Sequence, residues 1–135
     1  QHAVDKVAGV VTKMNQEVAR REQQTHVMQI QDKFSDVSLI AAHRRLIREG
    51  QLVKLSRNWG FQQSKYCALF NDVLVYGKRT IGAEKLHGSK EVPLQRAVVL
   101  DSGPTARYFV LIIPERTVYL QADTCEEKLA WIDSF

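Results

Sequence analysis

The 135-residue sequence is poor in the residues that staple, span or catalyse. Its two cysteines, Cys67 and Cys125, lie 58 positions apart and belong to no Cys-x-x-Cys pair. A secreted scaffold of this size would carry more, so the pattern reads as a reducing, cytosolic setting in which both act as small hydrophobes. No apolar run approaches the ~20 residues a helix needs to cross a bilayer, and no signal-type segment opens the chain. His2, His26, His43 and His87 show no metal-ligand spacing with Cys or carboxylates. No Gly-rich loop leads into a Lys-Ser/Thr helix, and there is no nucleophile elbow. The residues therefore imply no metal, no cofactor and no catalysis within this stretch. Beginning at Gln1 without a Met, the chain is expected to be a piece of a longer protein.

The composition, 44% hydrophobic and 25% charged, is that of an ordinary folded domain long enough to bury a core. The net charge of +4 is modest, but it is unevenly placed. Residues 1–42 sum to zero. Residues 43–79 hold eight bases against two acids, and residues 80–135 sum to −2. A domain polarised in this way can turn its basic side toward an anionic surface. The long basic stripe with interleaved aromatics typical of a nucleic-acid binder is missing, so no nucleic-acid partner is expected.

Proline is absent from residues 1–45, and Val4, Val7, Val11, Met14 and Val18 recur at 3-4-3-4 spacing. That is one face of a helix. Apolar residues return at Val27, Ile30 and Phe34 after a polar interval. A helix over about residues 3–33 would extend roughly 45 Å, too far to bury its whole seam on a domain of the remaining size. Part of the seam should face something absent, either a preceding domain or another copy of the chain. The seam fails at Arg21 and Thr25 after about two heptads, which argues against a free-standing coiled coil.

Beyond a connector at residues 35–45 the period changes from 3.6 to 2. "GQLVKLSR", "KYCALF" and "VLVYGKR" read as strands, the last two joined by a tight Asn71-Asp72 turn. "TIGAEKLHGSK", residues 80–90, is polar and Gly-punctuated and reads as a mobile loop. "EVPLQRAVVLD" gives one or two short strands with an edge or kink at Pro93. A second hairpin turns at Pro114-Glu115-Arg116. A helix then starts from Asp123 or Thr124 as N-cap, with Leu129, Ile132 and Phe135 on one face and Trp131 beside them. The order is a long helix, about seven short strands and one amphipathic helix. It suggests a curved antiparallel sheet or partly open barrel capped by a helix.

Three stretches, "EGQLVKL", "LFNDVLVY" and "FVLIIPERTVYLQADTCEEKLAWI", resemble a pleckstrin homology (PH) domain across residues 46–135. The preceding "AVDKVAGVVTKMNQEVARREQQTHVMQIQDKF" followed by "HRRLIREG" is similar to the last helix of the Dbl-homology (DH) domain of Rho-type guanine nucleotide exchange factors, with its connector, residues 1–45. The resemblance implies a mainly β fold with α: a seven-stranded, partly open antiparallel barrel capped by a C-terminal helix and preceded by a long N-terminal helix. It implies that Val4, Val7, Val11, Met14 and Val18 pack against DH helices missing from this chain. It also implies a non-catalytic, regulatory module in a parent that acts on a Rho-family GTPase, placed in the cytoplasm and peripheral at membrane or cytoskeleton. An adaptor that binds proteins and no lipid is the alternative.

Many domains of this family hold phosphoinositide headgroups between a Lys in the first strand and a base-x-Arg pattern in the second. Here Lys54 occupies the first position, Lys65 stands where the Arg would be, and Gln63 replaces the first base. Arg57, Lys78 and Arg79 would add charge from neighbouring loops. The resemblance thus implies weak attraction to an anionic phospholipid membrane. Trp59 and Phe61 flank Gly60 at a loop tip and are candidates for membrane or partner contact, against the alternative that one folds back onto the barrel. Arg44, Arg45 and Arg48 mark the interdomain junction, either pairing with acids of the exchange domain or GTPase or capping the helix.

Overall fold

In the computed structural model, the described residues are 2–135 apart from 57–59, 61, 80–81 and 83; for residues 2–14 only the backbone is described. The Pro-free N-terminal segment forms α1, His2–Gln31. Residues 15–26 of this helix are exposed, Val18 among them, whereas Val27 and Ile30 are buried. Seven strands follow: β1 (Leu46–Leu55), β2 (Gln62–Phe70), β3 (Val73–Lys78), β4 (His87–Pro93), β5 (Val98–Asp101), β6 (Tyr108–Ile113) and β7 (Arg116–Gln121). A single turn of 3-10 helix, Leu94–Arg96, links β4 to β5, and α2 (Cys125–Ser134) closes the chain.

The strands form one antiparallel sheet in the order β4-β3-β2-β1-β7-β6-β5. β1 is the corner: it pairs with β2 along its length and, through Val53–Leu55, with β7. Both β4 and β5 are edges, which explains why Pro93 is tolerated at the end of β4. Inside the curve lies one core, built from Leu52, Leu69, Tyr76, Val92, Phe109, Leu111, Val118 and Leu120, and closed by Trp131 of α2. A second core lies outside. Val27, Ile30, Phe34 and Leu39 cover Ala68, Phe70, Val73, Val75 and Leu86 on the outer face of β2 and β3. This double burial is why "YCALF" and "VLVYG" are apolar without alternation: both faces of these strands are covered.

Polar contacts fix the connector. Arg44 forks onto Asp72 (Nε–Oδ1 2.9 Å, Nη2–Oδ2 2.8 Å) and donates through Nη1 to the Leu39 carbonyl at 2.7 Å. The side-chain hydrogen bond from Arg44 holds the Asp72 carboxyl below the usual carboxylate range. Asn71 accepts from the Arg45 backbone N–H at 2.8 Å and donates to the His43 carbonyl at 3.0 Å. The tight turn read from the sequence at Asn71-Asp72 is therefore also the clamp on the connector.

Two local expectations are corrected. Residues 87–90, read as loop, belong to β4, where Lys90 pairs with Tyr76; Gly88 supplies a left-handed kink at φ +62° within it. On α2, capped by Thr124 Oγ1 accepting from the Glu127 N–H, Leu129 points outward. Its inward place is taken by Lys128, which is 1% exposed and reaches Asp101 at 2.7 Å and the Gly103 carbonyl at 2.6 Å. Aliphatic stem and paired ammonium make such a buried lysine tolerable, a choice that apolar periodicity does not signal.

Candidate functional site: a cationic barrel mouth

Strand register decides which bases share a face, because directly paired residues project to the same side of a sheet. Leu52, a core residue, pairs with Lys65; Leu120 pairs with Lys54; Tyr76 pairs with Lys90; Ile113 pairs with Arg116. Lys78 follows the inward Tyr76 by two residues. Five strands thus carry a cation in their inner rows toward one end of the barrel: Lys54, Lys65, Lys78, Lys90 and Arg116.

The ring is tight and partly dry. Lys54 Nζ lies 5.6 Å from the centroid of the buried Tyr76 ring, and Arg116 Nη2 donates to the Tyr76 hydroxyl at 3.3 Å. Arg116 Nε is buried and has no hydrogen-bond partner among the described residues. Burial, followed by the nearby charges of Arg116 and Lys90, pushes the Lys54 ammonium below its ordinary pKa. Lys65, 8% exposed, is pushed down in the same direction, first by burial and then by Lys54 and Lys78. Beside this ring a cavity of about 160 Å³ is lined by Lys54, Leu55, Ser56 and Gln63. Several cations held together against their own repulsion, in a partly desolvated cup, suit an anion that offers several oxygens at once.

Lys54, Lys65 and Lys78 come together, and Gln63 shares the cavity with Lys54. Arg79 does not join them; it acts electrostatically on Tyr66, whose ring packs against the outer core. Arg57, Trp59 and Phe61 lie outside the described residues. Arg44 is spent on Asp72, the Arg48 guanidinium sits 5.4 Å over the Trp131 ring, and the Arg45 side chain is exposed. Sequence reasoning missed Lys90 and Arg116. Lys90 was hidden in a presumed loop and Arg116 in a presumed turn, yet each alternates with a core valine, Val92 or Val118.

A curved seven-stranded sheet with a C-terminal helix and a cationic open end defines a small PH-like module. The family model for the PH domain matches residues 46–135, and the chain belongs to that family. It is similar over 140 residues, at 25% identity, to FYVE, RhoGEF and PH domain-containing protein 1 of Mus musculus, an alignment covering 99% of this chain and 14% of that protein. It is 30% identical over 135 residues to FERM, ARHGEF and pleckstrin domain-containing protein 2 of Mus musculus, covering 96% of this chain and 12% of the relative. The chain thus spans a small part of these relatives. In fold it resembles autoinhibited Vav1 (TM-score 0.81, 20% identity, 98% of this chain and 25% of that one). It also resembles the DH/PH domains of PDZ-RhoGEF solved in complex with activated RhoA (TM-score 0.69, 20% identity, 96% and 42%). These alignments take in α1 as well as the barrel.

Proposed function

We propose that this chain is the regulatory PH module, with its leading helix, of a Rho-type guanine nucleotide exchange factor. It attracts the protein weakly to anionic, phosphoinositide-bearing membrane and fixes the pose of the exchange domain relative to membrane and GTPase. The observation that carries the lipid role is the convergence of five cations, one with an orphaned buried N–H, at a single end of the barrel. The pose-fixing role is supported by the outer core, which joins the end of α1 to β2 and β3. Residues 1–45 are then the end of a DH domain with its connector, and residues 46–135 the PH domain. The exposed Val18 fits a face that upstream DH helices would cover. The RhoA complex of the PDZ-RhoGEF relative supports a Rho-family GTPase as the parent's partner.

Each base near an anionic surface contributes about 1 kcal/mol, so the ring supports binding that fades with salt. Vesicle sedimentation at low and high salt tests this. Salt-sensitive binding lost on Lys54→Ala with Lys65→Ala is expected, and no binding to any anionic vesicle would overturn the lipid role. The adaptor reading rests on a different observation: Val98, Leu100 and Ile112 on the outer face of β5 and β6 are 54%, 48% and 39% exposed.

A further inference from the structure

We infer that the cationic mouth and the seat of α1 are energetically coupled through the β3–β4 hairpin, so that an anion in the mouth tightens the helix onto the barrel. This rests on the lipid reading above and adds a regulatory link to it. Two dipeptides carry the argument. In Gly77-Lys78 the lysine faces the mouth, while Gly77 lies on the outer face under Phe34; a Cβ there would come within 3.0 Å of Phe34 Cε1 and 3.1 Å of Ser89 Oγ. In Ser89-Lys90 the lysine again faces the mouth, while Ser89 binds the Asp36 carboxylate through both its N–H and its hydroxyl. Neighbouring strand residues point to opposite faces, so these two peptide units serve mouth and helix seat at once.

The seat is completed by backbone bonds. Leu86 N–H donates to the Lys33 carbonyl at 2.7 Å, and Ser35 N–H donates to the Leu86 carbonyl at 3.0 Å, making a short parallel bridge between Phe34 and Leu86. Local opening of this bridge displaces the strand that positions Lys90, and an anion shared by Lys78 and Lys90 opposes that opening. Linkage makes the effect reciprocal: whatever affinity the seated helix adds to the mouth, the occupied mouth returns to the seat.

The test uses the whole chain and phosphatidylcholine vesicles with or without phosphatidylinositol bisphosphate. Hydrogen exchange at the Ser35 and Leu86 amides should slow several-fold when doped vesicles are present, and not with plain ones. Asp36→Ala should weaken binding to doped vesicles several-fold, within the roughly 5–150-fold span usual for coupled sites. That substitution raises net charge by one, so simple electrostatics would strengthen binding; a weakening therefore reports the coupling. Doped-vesicle binding with unchanged amide exchange and unchanged Asp36→Ala affinity would overturn the coupling and leave the lipid role standing. If the unaltered chain binds no doped vesicles, both are overturned. The exchange measurement needs no substitution, so it decides the question even where Asp36→Ala folds poorly.

Discussion

At the scale of single residues, Lys65 stands between two demands. It is nearly buried, its charge is repelled by Lys54 and Lys78, and its ammonium pKa is lowered chiefly by burial. A lysine whose folded-state pKa lies below its unfolded value binds fewer protons when folded. Between those two values the unfolded chain holds more protons, so stability rises as pH climbs through that window toward about 10.5. Lys65→Met should therefore stabilise the chain by about 1 kcal/mol near neutral pH while weakening its binding to anionic vesicles. The alkaline gain in melting temperature expected with Lys65 should shrink in the variant. Equal or lower melting temperature for Lys65→Met at neutral pH would show that the cluster carries no strain. Part of this site was legible in the sequence: Lys54 and Lys65 follow from the resemblance to the family's motif. The contributions of Lys90 and Arg116 needed register, because a base at a strand end is silent about its face until its partner is known.

At the scale of elements, the alternation of period predicts both helices and about seven strands, leaving "EVPLQRAVVLD" as one or two where the structure has β4 and β5, while the boundaries shift where local chemistry misleads. Glycine and serine in "LHGSK" read as loop, yet pairing to β3 and the Asp36 contact hold them in β4. Leu129 reads as core, yet it is exposed, and the inward face of the helix carries Lys128, paired with Asp101, and Trp131, which fills the barrel end. β3 is the element with least freedom, since every residue from Val73 to Gly77 is buried. Gly77→Val should cost about 1–3 kcal/mol by overpacking against Phe34, Ser89 and Leu86, whose Cβ would lie 3.3 Å from the first added carbon. Chemical denaturation measures the loss, and an unchanged midpoint would mean that Phe34 moves aside freely. The double burial of β3 is what the apolar run "VLVYG" encoded; that α1 supplies the outer cover could not be read from either segment alone.

At the scale of the whole molecule, the family match begins at residue 46, but the outer core draws on Val27, Ile30, Phe34 and Leu39. A chain of residues 46–135 would leave Phe70, Val73, Val75 and Leu86 without cover. It should be less stable by roughly 5 kcal/mol or more than one beginning near residue 24, and should self-associate. Denaturant titration and light scattering on the two lengths would check this; equal stability would place the outer core outside the cooperative unit.

Seated through Val27 and Ile30, the only buried residues of α1 among those described, the thirty-residue helix also forms a lever. With about 37 Å of helix before Val27, a tilt of about 5° at the seat carries the far end through about 3 Å. A displacement too small to alter the barrel would thus be magnified at the start of the helix.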